Sequence, residues 1–287
     1  MRVAYLGPRG TFTEDALMEA AAGAEVEAVP AASVYAAIVA VEAGEAERAF
    51  VPFENSIEGP VRATLDTLAF DAEGVVIVGE HDLSVSQSLI AREDLPLADI
   101  ETVLSHPQGT AQCARFLREN LPAASVRTVE STAEAVRIVS ESDRPWAALG
   151  AASAAGLYGC TVLRDGVEDE PDNVTRFVWI APEGTVPEGG GPWRTTLVFT
   201  ELGEDKPGAL VDALGAFSER GVNLTRIESR PRRRGLGRDM FFVDCEGALD
   251  DSAVAAAVGD LRRNAESVRI LGSYPTASQG VPGLTGS

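Results

Sequence analysis

Along the first 180 residues, short apolar runs alternate with stretches whose apolar positions recur at helical spacing. "RVAYLG", "AEVEAV", "ERAFVPF", "VVIVGEHDL", "ETVLSH", "SVRTVE", "WAALG" and "TVLRDG" read as strands, with "EDALMEAAA", "VYAAIVAVEAG", "VRATLDTL", "TAQCARFLREN" and "TAEAVRIVS" as the helices between them. That alternation predicts an α/β fold. The helical period lapses across residues 75–100, and the stretch is long for a single doubly wound sheet. Two α/β lobes joined by crossing strands are therefore expected, with a ligand cleft between them.

Residues 181–193, "APEGTVPEGGGPW", hold three prolines and four glycines, a composition that packs poorly and suits a linker. Beyond it, "TTLVFTEL", "DKPGALVDALGAFSERG", "VNLTRIESRP", "DMFFVDCEG", "DSAVAAAVGDLRRNA" and "SVRILGSY" spell β-α-β-β-α-β, the ferredoxin-like order. The expected division is a two-lobed domain over 1–181, a linker over 182–193, a ferredoxin-like domain over 194–275 and a disordered tail over 276–287. The tail, "TASQGVPGLTGS", is small, polar and rich in Gly and Pro.

Composition narrows the function classes. With 45% hydrophobic and 24% charged residues, and no apolar run near the roughly 20 residues of a membrane span, the chain reads as soluble and globular. The opening "MRVAYLGPRG" lacks the apolar core and cleavage site of a signal peptide, which points to the cytoplasm. Cys113, Cys160 and Cys245 are scattered, as reduced thiols are, and with two histidines in the chain a metal site would need carboxylates alone. A formal charge of −20, with Lys206 the only lysine, argues against nucleic acid or an anionic membrane as partner. An anionic ligand must then be held locally, by buried arginines and by amides at helix starts.

Polar clusters gather at strand ends, where open α/β sheets bind ligands. In "YLGPRGTFTEDA", Gly7 and Gly10 allow a tight turn, and Thr11 and Thr13 can cap the next helix. "VPFENSIEGPV" sets Glu54, Asn55 and Ser56 directly after a strand, ahead of Gly59 and Pro60 at a helix start. "SHPQGTAQC" repeats the arrangement with Ser105, His106, Gln108, Thr110 and Gln112, where Ser105 or Thr110 is the expected N-cap. "DNVTRFVWI" places Asn173, Thr175 and Arg176 at the mouth of a strand of bulky apolar residues. Capping accounts for any one cluster but not for all of them.

Taken in order, "GPRGTFTEDA", "VPFENSIEG", "SHPQGTAQC", "STAEA" and "DNVTRF" resemble the prephenate dehydratase domain, and "KPGALVDAL" with "NLTRIESRP" resembles the ACT regulatory domain that follows it. The resemblance runs from residue 1 to about 275. It implies a two-lobed catalytic domain akin to type II periplasmic binding proteins, followed by a βαββαβ ACT domain. The implied activity is that of a hydro-lyase, turning prephenate into phenylpyruvate with loss of water and carbon dioxide, in phenylalanine biosynthesis. No cofactor is implied, because aromatisation drives the reaction and the electrons stay within the substrate.

By the same resemblance, Thr175 donates a hydrogen bond or a proton to the departing ring hydroxyl. Asn55, Ser105 and Gln112 are the matching polar positions expected to hold the substrate, and Thr11, Ser56 and Arg176 complete the candidate set. Strand alternation opposes the last of these. If Thr175 and Phe177 face the cleft, Arg176 faces away, and an ion pair with a carboxylate is its alternative role. Gln87 stands in "LSVSQSL" where the family often has histidine, and Thr13 stands where serine is common. His106 is expected to be structural, and Cys113 to pack in the core.

In the second domain, Asp205 is a candidate N-cap, Pro207 suits a first helical turn, and Gly208 lets a ligand approach the amides of the helix start; Gly221 should end that helix. The resemblance makes this the phenylalanine feedback site, formed by Gly208, Ala209, Leu210, Asn223, Leu224, Glu228 and Ser229. Such sites typically lie between two ACT domains, so a homodimer or homotetramer is expected. A flexible linker carries no force, so the effector should act through how these domains pair or dock. The arginine run in "RPRRRGLGR" is expected to be a solvated hairpin loop. Two alternatives stay open: a binding protein of the same fold without catalysis, and arogenate dehydratase, the same chemistry on the aminated substrate.

Overall fold

The computed structural model describes residues 1–187, 189–200, 207–232 and 239–276. The first lobe is built from β1 (Arg2–Leu6), α1 (Phe12–Ala20), β2 (Glu27–Ala31), α2 (Val34–Glu42), β3 (Arg48–Asn55), the short β4 (Gly59–Pro60), α3 (Arg62–Asp66) and β5 (Val75–Ser84). The chain then crosses to the second lobe. There β6 (Ser88–Ala91), β7 (Thr102–Ser105), α4 (Pro107–Gln112), α5 (Ala114–Asn120), β8 (Ser125–Thr128), α6 (Thr132–Ser140), β9 (Trp146–Gly150), α7 (Ala152–Tyr158) and β10 (Thr161–Arg164) follow. β11 (Val174–Pro182) returns to the first lobe. The C-terminal unit comprises β12 (Trp193–Thr200), α8 (Ala209–Ser218), β13 (Leu224–Pro231), β14 (Asp239–Glu246), α9 (Ser252–Asn264) and β15 (Ser267–Pro275).

Both lobes follow one plan. In the first, β2, β1 and β3 are parallel, and β11 runs antiparallel between β3 and β5. In the second, β8, β7 and β9 are parallel, with β6 antiparallel to β9 and β10 at the edge. The lapse of helical period at 75–100 is explained by β5 and β6, consecutive strands with no helix between them. Both β6 and α7 escape the sequence pattern because each is too short, at four and seven residues, to show a period. The stretch "TAQCARFLREN" is two helices broken at Cys113, whose side chain packs in the core of the second lobe. α4 is capped by His106, not by Ser105 or Thr110: the ring Nδ1 accepts from the Gln108 N–H at 3.3 Å. α8 is preceded by Gly208 in the left-handed conformation, φ +87. Asp205, residues 233–238 of the arginine run and the tail from 277 lie outside the described residues.

The C-terminal strands do not stand alone. β15 pairs in parallel with β5 through Gly272 opposite Ile77, so that the order β13-β14-β12-β15-β5-β11-β3-β1-β2 forms one sheet. Only glycine fits there, because a Cβ on residue 272 would lie 2.3 Å from the Ile77 carbonyl oxygen. The apolar core crosses the same seam: Val198, Phe242, Leu271 and Tyr274 pack with Val51, Phe53, Ile77 and Val178 of the first lobe. Whatever the linker does, the two units share a core.

The seam also buries charge. Arg176 donates to Asp244 Oδ2 at 2.7 Å, to Glu54 Oε2 at 2.9 Å and to Glu80 Oε2 at 3.4 Å. Asp244 further accepts from Arg226 Nε at 3.0 Å and from the Thr196 hydroxyl at 2.9 Å, and Arg194 lies 3.2 Å from Glu80. Phe53 stacks against both the Arg176 and the Arg226 guanidinium, 4.9 and 4.7 Å away. Burial works against the charge on Asp244, but Arg226 and Arg176 hold its carboxyl below the usual range. For Glu80 burial wins over Arg194 and Arg176, pushing it up to about 7, with Asp82 and Asp244 adding repulsion.

A carboxyl that holds its proton more tightly in the folded chain favours folding below its ordinary value of 4.5, and that contribution is lost as pH rises through about 7. Glu80→Gln is therefore expected to flatten the dependence of stability on pH between those limits, as measured by urea unfolding across the range. Parallel curves for the variant and the wild type would contradict this.

Candidate active site

The lobes face each other across a cleft of about 1120 Å³, above the roughly 300–1,000 Å³ of most small-ligand pockets, as suits a cleft open between two bodies. Its floor is made by the two segments that cross between lobes, which contribute Val85, Gln87 and Asn173. These segments bond to each other, Val85 N–H to the Asn173 carbonyl at 2.7 Å and Val167 N–H to the Gln87 carbonyl at 2.9 Å.

The polar centre of the site follows from strand register. β11 pairs with β3 so that Thr175 stands opposite Asn55 and Arg176 opposite Glu54. Asn55 Oδ1 accepts from the backbone N–H of Ile57 at 3.0 Å and of Glu58 at 2.9 Å, which fixes the orientation of its amide. Its Nδ2 must then donate, to Asn173 Oδ1 at 2.7 Å and to Thr175 Oγ1 at 2.9 Å. Two consequences follow. The Thr175 oxygen is an acceptor on the Asn55 side, leaving its own proton for the cleft. Asn173, with its oxygen occupied, lines the same cleft but keeps its Nδ2 buried, without a protein partner among the described residues.

Of the candidate substrate residues, Thr11, Asn55 and Gln112 line the cleft with Thr175. Gln112 Oε1 accepts from Gln87 Nε2 at 3.3 Å, and Gln87 Oε1 is buried without a protein partner. The Thr11 hydroxyl donates to the carbonyls of Pro8 and Leu6, so it does not cap α1; the Glu14 and Asp15 amides donate to the Thr11 carbonyl, which leaves those of Phe12 and Thr13 for an anion. Ser56, Ser105 and Arg176 lie elsewhere. Ser56 clasps the mouth of β11, donating to the Asp172 carbonyl at 3.1 Å and accepting from Val174 N–H at 3.0 Å. Ser105 is fully buried and donates to the Leu149 carbonyl at 3.3 Å, with Gly109 packed so closely that a Cβ there would lie 2.6 Å from the serine oxygen. Arg176, on the opposite face of β11 from Thr175 and Phe177, is taken up by Glu54, Glu80 and Asp244, as alternation along the strand requires.

The cleft therefore meets an anion differently from what composition suggests. Its buried arginines are committed to the seam, and among the described residues lining the cleft the guanidinium is that of Arg9, 66% exposed and 3.4 Å from Glu14. Sequence reasoning passes over Arg9, and it notes Asn173 at the strand mouth and Gln87 in "LSVSQSL" without placing either in the candidate substrate set. The first two sit inside the motifs "GPRGTFTEDA" and "DNVTRF", but only the fold turns them toward one space.

In the C-terminal unit, Gly208, Ala209 and Leu210 lie at the start of α8, and Glu228 and Ser229 lie late in β13. Asn223 and Leu224 sit past the far end of α8, a helix about 15 Å long. Within one chain the seven residues therefore fall at two ends of the unit. No helix among the described residues is long and apolar enough to cross a membrane.

A family model for prephenate dehydratase matches residues 3–185, and one for the ACT domain matches residues 196–263. A protein from Mycobacterium marinum named prephenate dehydratase is 43% identical over 283 residues, covering 96% of this chain and 89% of its own. Among solved structures, a prephenate dehydratase from Arthrobacter aurescens in complex with L-Phe superposes with a TM-score of 0.88 at 40% identity, over 99% of this chain and 92% of that one. GqqA, described as a novel type of quorum quenching acylase, superposes with a TM-score of 0.84 at 32% identity, over 96% of this chain and 98% of its own.

Proposed function

The chain belongs to the prephenate dehydratase family, hydro-lyases that form phenylpyruvate, and carries an ACT domain behind its catalytic lobes; from that premise we propose that Thr175 assists the departing hydroxyl in the cleft. The observation that carries this is the polarity of the Asn55 to Thr175 hydrogen bond, which leaves the threonine proton on the cleft side. As the ring carboxylate leaves as carbon dioxide, its electron pair enters the forming aromatic ring and expels the hydroxyl, which departs with a proton as water. A threonine is a weak acid, so it acts mainly by hydrogen bonding to the leaving oxygen as charge develops there, more strongly in the transition state than in the ground state. The substrate's carboxylates have donors in the Phe12 and Thr13 amides at the start of α1 and in Arg9.

Phenylalanine is the proposed effector, since a relative with the same architecture is described in complex with it. Gly208 to Leu210 with Glu228 and Ser229 form one end of its site, and Asn223 and Leu224 join it from a second copy. Exposed Val211 and Ile227 on α8 and β13 support such pairing into a homodimer or homotetramer. Three free thiols fit the cytoplasm. Catalytic and ACT domains are placed at 1–181 and 194–275. Because they share a core, regulation is best tested in the full chain.

Thr175→Val is expected to fold normally and to lower kcat about a hundredfold or more with KM changed little, whereas Gln112→Ala should mainly raise KM. Phenylpyruvate formation from prephenate, with arogenate assayed in parallel, measures both; near wild-type kcat in Thr175→Val would remove it from the mechanism. For the effector, Gly208→Val should abolish calorimetric binding of phenylalanine, because φ +87 disfavours a branched residue and the side chain covers the helix amides. Undiminished binding in that variant would place the effector elsewhere.

A further inference from the structure

Behind Thr175, on the face of β11 turned from the cleft, Arg176 ends on a carboxylate of the C-terminal unit, Asp244, which has no solvent exposure. That carboxylate is shared. Arg226 reaches it from β13, the strand that also carries Glu228 and Ser229 of the proposed effector site. The pairing of β11 with β5 runs unbroken from Val174 to Trp179, but its pairing with β3 shifts register immediately after Arg176. On the β3 side the ion cluster adds a hold at the point where the ladder is interrupted. A guanidinium this deeply buried cannot be left unpaired without large cost. Glu54, with a side chain 34% exposed, and Glu80 both already touch Arg176. If Asp244 shifts, Arg176 has a second set of partners to move toward, and Thr175 is the residue immediately before it in the chain.

We infer that Arg176 is a positioning residue for Thr175, held in place from the C-terminal unit by Asp244, and that displacement of β13 reaches the cleft through Arg226, Asp244 and Arg176. The positioning role rests on Thr175 as the assisting group, and the last link rests on phenylalanine as effector.

The test uses the full-length protein and compares Asp244→Asn, Thr175→Val and the double variant, all assayed without phenylalanine. Asp244→Asn should lower kcat by about tenfold or more with KM within about threefold, and should lower it less than about twofold when Thr175 is already Val, because nothing then remains to position. Equal losses in both backgrounds, or no loss in either, would make the cluster a general support and overturn the assignment. Should Asp244→Asn fail to fold, Arg176→Lys, which keeps the charge but loses the fork, takes its place in the same cycle: a loss of kcat that vanishes in the Thr175→Val background supports the role, and equal losses in both overturn it. Arg226→Gln tests the link to β13: calorimetric binding of phenylalanine is retained, but inhibition, measured against the variant's own kcat without phenylalanine, is lost. Inhibition equal to wild type would overturn that link. A wild type indifferent to phenylalanine would count against the effector and remove the β13 link with it, while the comparison without phenylalanine still decides the role of Arg176.

Discussion

Thr175 stands opposite Asn55 and Arg176 opposite Glu54, and this one register between β11 and β3 sets both faces of the strand at once. On the cleft face it brings an amide donor to a hydroxyl and fixes which way the hydroxyl proton points. On the other face it delivers a guanidinium to a cluster of carboxylates from three strands, Glu54 on β3, Glu80 on β5 and Asp244 on β14. A slip of one residue would exchange the two sets, putting the arginine in the cleft and the threonine against Asp244. Chemistry and domain docking are thus two consequences of one pairing.

The cluster also accounts for how a protein of charge −20 treats an anionic substrate. Its buried cations neutralise its own carboxylates at the seam, where three arginines, Arg176, Arg194 and Arg226, meet Asp244, Glu80 and Glu54. A buried ion pair is weak support for stability, since desolvation offsets much of the attraction. Its use here is positional. The cleft is left with neutral amides, helix-start N–H groups and Arg9, donors that fix the direction of a ligand more than they add long-range pull.

Much of this was legible in the sequence. The ordered motifs carry the family, the alternation of strand and helix carries the lobes, and the period of two along "NVTRF" correctly turns Arg176 away from the cleft. What the sequence could not separate is a polar residue that lines a cleft from one that clasps the backbone beside it. Ser56 and Ser105 look like Asn55 and Gln112 in the linear pattern, yet their hydroxyls go to the Asp172 and Leu149 carbonyls. His106 likewise takes the capping role that Ser105 or Thr110 would fill by propensity alone. Except for the His106 cap, the contacts that decide these roles are distant in sequence, 118 residues from Asn55 to Asn173, 116 from Ser56 to Asp172 and 44 from Ser105 to Leu149, and local pattern contains nothing of them. The same holds for Gly272, one glycine among many in the linear pattern of "RILGSY" until β15 meets β5.

The central claim is that Asn55, by donating to Thr175, turns the threonine proton toward the substrate. Asn55→Asp tests it with almost no change of shape: the carboxylate still accepts from the Ile57 and Glu58 amides but can no longer donate, so the Thr175 hydroxyl must turn its proton to residue 55 and away from the cleft. The measurement is kcat on saturating prephenate. A fall of about a hundredfold or more, comparable to removing the hydroxyl itself, is the predicted result; a kcat near wild type, with only KM raised by the added charge, would contradict it.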